Sequence, residues 1–260
     1  MSAAASLELY HWEPTIHSGE MLLYLAERRI PFQGHYVDLL ELEQHRPAYL
    51  QLNPTGQVPV LVHNGRVLTE TGLLLQYLED AFPGSGLTPA TATERYDTAF
   101  WIKYSAERIA PAVSLLGWHE CTRPQLGATQ IARARESLAA LPLERQRVWQ
   151  KALDDSYSAE ELALTRESLA FACAKLEQSL GAHPFLAGGA YSVADIALLF
   201  MTRAMRGLLP DILNVEQAPR TLEWLERLEE RTAVAKVLAS SRSPAPERMY
   251  APGPELARWG

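Results

Sequence analysis

Apolar and polar positions follow two different periods along this chain, and the change falls near residue 84. Before it, strand-like runs alternate with helical ones. "LELYHW" (7–12) reads as a strand, Gly19 to Arg29 as an amphipathic helix and "FQGHYVDL" (32–39) as a second strand. In "VPVLVHNGRVLTE" (58–70) the pair Asn64-Gly65 separates two β-rich halves, the strongest short signal for a two-residue hairpin. "GLLLQYLEDAF" then has helical spacing and stops at Pro83-Gly84. The order is β-α-β, a loop region, then β-β-α.

Beyond residue 92 the period is helical throughout. Helices are expected over "ERYDTAFWIKYSAERIAPAVSLLGW", the charged stretch Ala128 to Lys151, "SAEELALTRESLAFACAKLEQSLG", "SVADIALLFMTRAMRGL" and "TLEWLERLEERTAVAKVLAS". Gly, Pro, Ser and Thr cluster without period in "FPGSGLTPATAT". The expected architecture is therefore α/β plus all-α: a domain over 1–84, a linker at 85–92 and a helical domain over 93–240. The proline-rich end, 241–260, reads as an extended tail on the surface.

Composition narrows what such a chain does. With 260 residues, 47% of them hydrophobic, it can bury a full core. A net charge of -7 argues against a broad nucleic-acid surface, which needs clustered Lys and Arg. Charges interrupt every apolar run before the roughly 18 residues of a membrane span, and the N-terminus lacks a basic region leading into an apolar one. A cytoplasmic location and no membrane partner are expected. Cys121 and Cys173 form neither a disulfide framework nor a C-x-x-C pair, and no His, Asp or Glu cluster has metal-site spacing, so no metal is expected.

Chemistry concentrates in "NPTGQVPVLV" (53–62). Pro59 opens a strand that reads as central, where its missing N–H would interrupt the ladder. A cis Val58-Pro59 bond is expected there, turning the Val58 backbone N–H and C=O outward, where a ligand's peptide group could pair with them as an added strand. A purely structural turn fits the local sequence equally well. Glu70 and Thr71 fall where the hairpin ends and the next helix begins, so a carboxylate could meet helix-terminal N–H groups and the Thr71 hydroxyl while Glu70 holds an ammonium. Alternatively Thr71 is an ordinary N-cap.

These residues resemble a known family. "NPTGQVPVL", the hairpin and "TETGLLLQYLED" are similar to the glutathione-binding half of the glutathione transferases, which implies a thioredoxin-like domain (βαβ-ββα) followed by a helical bundle. "YSVADIALL" resembles the family's Ser-x-x-Asp box, with Ser192 and Asp195 capping a buried helix reciprocally. Within the family, "EQH" (43–45) ahead of "NP", the residues Trp101, Lys103, Glu107, Val113, Ser114, Gly117 and Trp118, and an insertion at about 120–160 resemble the bacterial glutathione-dependent β-aryl etherases of lignin breakdown, especially the β(S) type.

The resemblance implies roles for numbered residues. Glutathione would be a cosubstrate, with Val58 beside cis Pro59 on its cysteinyl backbone, Glu70 and Thr71 on the γ-glutamyl head, and His45 with Gln57 on the glycyl carboxylate. Thr71 stands where serine is usual. A free thiol ionises near pH 8.5, so the protein must favour the thiolate. Ser18, a hydroxyl expected at the N-cap before Gly19, is the candidate for that work. Tyr10 is the rival, read as an inward core residue of the strand. His17 departs from the cysteine or asparagine of related proteins and could donate to sulfur, contact substrate or face solvent. The aromatic electrophile would lie between the domains against Trp101, Tyr104, Arg108 and Trp118, several of which amphipathicity alone would make core.

The implied reaction is thiolate attack on the carbon bearing an aryloxy group, next to a ketone, in a homodimeric enzyme. A different glutathione transferase activity (lyase, isomerase or detoxification) and a non-catalytic binding subunit are the alternatives.

Overall fold

The computed structural model describes residues 6–244 and 253–254. Four strands, β1 (Leu7–His11), β2 (Gln33–Tyr36), β3 (Val60–His63) and β4 (Arg66–Leu68), form one sheet in the order β2-β1-β3-β4. β1 and β2 run parallel, with Leu9 opposite Gly34, and the crossover helix α1 (Ile16–Arg28) joins them. β3 pairs antiparallel with both β1 and β4. The tight turn comes where the sequence placed it: Asn64 and Gly65 have φ of 52° and 79°, the left-handed pair of a type I′ hairpin. The region between β2 and β3, read as loop, also contains a 3₁₀ turn at Glu43–His45 and the short helix α2 (Pro47–Leu52). Pro47 stands in the first turn of α2, where its absent N–H costs no bond.

α1 begins earlier than expected. Thr15 is its N-cap, so Ser18 and Gly19 lie inside the first turns rather than at the helix start. Gly19 serves packing: a Cβ there would stand 2.5 Å from the Phe200 ring, so its absence lets α1 approach the helix carrying Phe200. α3 (Thr71–Ala81) likewise starts one residue early, with Glu70 as N-cap.

The helical part opens with α4 (Ala92–Tyr104), which passes through a π turn at Ser105–Ile109 into α5 (Ala110–Gly117) and a second π turn at Trp118–Thr122. Pro111 follows the first π turn and sits near the start of α5, so the expected single helix continues with its phase shifted. The charged stretch forms two helices, α6 (Ala128–Ser137) and α7 (Leu143–Asp154), parted at Leu141-Pro142. α8 (Ala159–Ala182) and α9 (Val193–Leu208) follow, then α10 (Pro219–Glu229) and α11 (Thr232–Leu238), which the sequence pattern had run together.

One apolar core joins the sheet to the helices: Leu9, Leu23, Leu61 and Leu74 belong to the same buried cluster as Trp101, Leu199, Phe200 and Trp224. The Ser192/Asp195 box is present as read. Ser192 N–H donates to Asp195 Oδ2 at 2.9 Å and Ala194 N–H to Ser192 Oγ at 3.2 Å. Asp195 also accepts from the Trp224 indole N–H at 2.8 Å, which ties α9 to α10. The insertion has its own small core, in which Trp118, Leu138 and Leu141 surround Trp149.

Candidate functional site

The loop before β3 is built to present a peptide edge. Val58-Pro59 is cis. The preceding carbonyl, that of Gln57, is held inward by the Tyr49 hydroxyl at 2.7 Å and the Asn53 side-chain amide at 2.9 Å. With that carbonyl anchored, the next residue, Val58, lines a cavity of about 750 Å³. Gln57, Glu70, Thr71 and His17 share its wall. Thus four of the residues singled out by sequence for a peptide ligand stand together, from the proline loop to the first turn of α3. The aligned N–H groups at that helix end favour an anionic group beside Glu70 and Thr71.

Ser18 lies beside this cavity rather than on it. It lines an adjoining cavity of about 50 Å³, which shares His17, Gln57 and Val58 with the larger one. Ser18 Oγ accepts the Trp12 backbone N–H at 3.0 Å. A hydroxyl has one donor and two acceptor sites, so holding Trp12 as an acceptor directs the Ser18 proton elsewhere. The route into α1 is constrained as well, since Ile16 has φ of 31°, a conformation costing a β-branched residue about 1–3 kcal/mol. His17 is buried, with Nδ1 3.0 Å from Glu20 Oε1. Tyr10 is half-buried and stacks on His35 at 4.3 Å between ring centroids, and it lines neither cavity.

The remaining residues are placed differently from expectation. His45 faces the insertion: its Nδ1 is 2.8 Å from Ser137 Oγ and its ring packs edge-on against Trp149. Burial first, and the Arg145 charge second, hold its imidazole down at about 4, so it is neutral at pH 7 and cannot supply a cation to a carboxylate. Trp101 and Trp118 are core, not cavity wall. The Trp101 indole N–H donates to Leu186 O at 3.2 Å and that of Trp118 to Ala152 O at 2.9 Å. Tyr104 stacks on Phe100, and Arg108 is exposed; neither lines either of these two cavities. The face of α4 that does so carries Arg95, Thr98, Ala99, Ile102 and Lys103, positions i, i+3, i+4, i+7 and i+8 that follow one side of the helix. The aromatic positions drew attention because of their size, but large apolar side chains gain most by leaving water.

The insertion supplies two residues missed by the sequence reading, Arg145 and Trp149, which line the small cavity with Gln44 and Ser18. The signal was present: Leu141, Arg145, Trp149 and Leu153 recur every four residues, and an arginine in an apolar stripe calls for a buried partner. The tail, expected on the surface, comes back here at Gly253–Pro254. Pro254 is buried and its carbonyl accepts from Arg145 Nη1 at 2.7 Å. The other residues of 245–260 lie outside the described residues.

A sheet ordered β2-β1-β3-β4, a cis-proline loop at its third strand and a helical bundle on the same core define a thioredoxin-like domain joined to an all-helical one. The family comparison agrees: residues 9–86 match the model of the glutathione S-transferase N-terminal domain and residues 159–227 that of the C-terminal domain. This chain belongs to the glutathione S-transferase family. It is 30% identical over 245 residues to Protein LigF of Sphingobium sp. strain SYK-6, spanning 91% of this chain and 95% of that one. The crystal structure of that protein, described as a beta-etherase, superposes with a TM-score of 0.83 over 91% of this chain and all of the other. Glutathione S-transferase 3 of Zea mays is 27% identical over 93% of this chain and 97% of its own. A Burkholderia graminis glutathione transferase, solved with two glutathione molecules per subunit, shares the fold at 23% identity and a TM-score of 0.69, covering 91% of this chain and 89% of that chain.

Proposed function

We propose that this protein is a glutathione-dependent β-aryl etherase. The observation that carries the reading is the pair of adjoining cavities that share Val58, with Glu70 and Thr71 on one and Ser18 on the other, together with the likeness to LigF along nearly the whole chain. Glutathione would pair its cysteinyl backbone with Val58 and set its γ-glutamyl head at Glu70 and Thr71. Its thiol would then approach Ser18.

In the reaction, the thiol first loses its proton to solvent, the Ser18 hydroxyl favouring the thiolate by donating to sulfur. The thiolate attacks the carbon that carries the aryloxy group. A C–S bond forms as the C–O bond breaks, the carbon inverts, and the phenolate leaves and takes up a proton. The adjacent ketone makes that carbon electrophilic, so the protein mainly has to activate the thiol and align two partners. The acceptor would enter along the α4 face carrying Thr98 and Ile102. A homodimer acting in the cytoplasm completes the reading, supported by large apolar side chains left exposed on β4, α3 and α4.

The test is incubation with glutathione and a racemic β-aryl ether ketone, with phenol release followed by chiral chromatography. Phenol and the glutathione thioether in equal amounts are expected. Absence of phenol from both enantiomers would reject the etherase reading and leave only the family assignment.

A further inference from the structure

The loop between β1 and α1 carries a charge that the thiol chemistry does not itself require. Glu13 is only 1% exposed. A buried carboxylate is costly unless donors surround it, and here they do. Oε1 accepts the Tyr36 hydroxyl at 2.6 Å, and the Arg242 backbone N–H reaches Oε1 and Oε2 at 3.2 and 3.0 Å. The Ser241 hydroxyl donates to Oε2 as well. Two of these three donor groups belong to the chain just past α11, so Glu13 fastens that segment to the loop and to β2 at once. The Arg242 guanidinium lies 3.8 Å from the centre of the Tyr36 ring and completes the clasp.

What the clasp holds is the approach to Ser18. Trp12, the residue before Glu13, donates its N–H to Ser18 Oγ at 3.0 Å, and its ring packs against Tyr36 at 5.3 Å between centroids. The Glu13 carbonyl accepts the Thr15 N–H at 2.6 Å. Between these residues and Ser18 stands Ile16, at φ of 31°. A β-branched residue keeps such a conformation only where its surroundings over-determine it. Thr15 makes no side-chain capping bond to the helix, so part of that determination comes from outside α1, through Glu13.

We infer that Glu13 is a positioning residue for thiol activation. Clasped by Tyr36, Ser241 and Arg242, it holds Trp12 where the Trp12 N–H fills an acceptor site of Ser18, which leaves the Ser18 proton to the sulfur. The inference rests on the glutathione reading and on the part of Ser18 in it, but not on etherase activity. Charge alone predicts the opposite effect. Titratable and charged neighbours come from each element around Glu13: His11 on β1, Tyr36 on β2 and Arg242 past α11, with the Asp38 charge also acting on Tyr36. Neutralising Glu13 makes this surround more positive, which by itself favours a nearby thiolate. Loss of positioning disfavours the thiolate, because Ser18 no longer donates to it.

The experiment reads the ionisation of bound glutathione without electrophile, as thiolate absorbance against pH, together with glutathione affinity by calorimetry at a pH where the bound thiol is protonated. If glutathione does not bind the wild type, the glutathione reading fails and takes this inference with it. If Ser18→Ala does not raise the ionisation of the bound thiol, the role of Ser18 fails with the same result. With both in place, Glu13→Gln is expected to raise that ionisation by about half a pH unit or more, and by no more than Ser18→Ala does. Glutathione affinity at the low pH stays within about twofold of the wild type, since Val58, Glu70 and Thr71 are untouched. Combining Ser18→Ala with Glu13→Gln gives the Ser18→Ala shift alone, because a residue that acts through the hydroxyl adds nothing once it is gone. Ser241→Ala removes one donor and keeps the charge; a shift of about a few tenths of a unit in the same direction is expected, and it is the readout if Glu13→Gln does not fold. An unchanged or lowered ionisation in Glu13→Gln overturns the inference. So do additive shifts in the double variant, a loss of glutathione affinity at the low pH, or an unchanged ionisation in Ser241→Ala where Glu13→Gln is unfolded.

Discussion

Ser18 and His45 show how placement gives a side chain its role. Ser18 accepts from Trp12 N–H and keeps its proton to donate. Ser18→Ala is therefore expected to raise the ionisation of the bound thiol by about one pH unit, roughly 1.4 kcal/mol, read as thiolate absorbance against pH. The same change leaves the Trp12 N–H unsatisfied, at a cost of about 1–3 kcal/mol in stability, so unfolding is measured alongside. If kcat/KM falls less than about threefold, Ser18 is not the main activator. His45 carries a pH prediction. Its folded value is held down at about 4, below the unfolded value of about 6.5. Between those values the unfolded chain binds the extra proton. Stability from this group is complete above about pH 6.5 and is lost as pH falls, by roughly 3 kcal/mol at pH 4. Urea denaturation across that range is expected to show the slope in the wild type and a flatter line in His45→Gln.

At the scale of the element, α1 joins chemistry to packing. Its first turn holds Ser18, and one residue later Gly19 lies against Phe200 of α9. Alanine is worth about 1 kcal/mol more than glycine within a helix, so propensity alone predicts that Gly19→Ala stabilises. A methyl forced into the Phe200 ring costs about 1–3 kcal/mol, and packing is expected to win. The variant should have a lower Tm, and Gly19→Ala combined with Phe200→Leu should recover part of it. A higher Tm for Gly19→Ala alone would show that the ring gives way freely. Element boundaries were legible where local chemistry sets them, as at Asn64-Gly65 and Ser192. The start of α1 was not, because its N-cap, Thr15, makes no side-chain capping bond to the helix. The helix break at Leu141-Pro142 was marked by its proline and an uncharged run, which the reading of one charged stretch passed over.

At the scale of the whole molecule, the two parts share a core, and charged contacts reinforce the junction. Arg231, at the N-cap of α11, donates from Nε to Glu27 of α1 at 2.6 Å and lies over the Tyr191 ring at 3.8 Å. Val67, Leu73 and Tyr96, from β4, α3 and α4 respectively, are 40%, 62% and 70% exposed. These apolar side chains are the proposed contact with a second copy of the chain. Light scattering is expected to give a dimer for the wild type and a monomer for Leu73→Glu with Tyr96→Glu. A monomeric wild type would remove the homodimer from the proposal.

What the sequence determined by itself was the order of strands and helices, the hairpin, the capped helix α9 and the placement of Val58, Glu70 and Thr71 at the proline loop and the start of α3. Each rests on interactions within a few residues, so each leaves a mark on period or local composition. The tertiary structure decided which helix faces meet the cavities. Trp101 and Trp118 turned inward because apolar area leaves water whenever packing permits, and a π turn between them shifted the helix phase. It also decided which cation reaches the small cavity, bringing Arg145 to a loop ninety residues earlier in the chain, its Nε donating to Thr55 O. Such contacts depend on how distant segments pack, which no local pattern records.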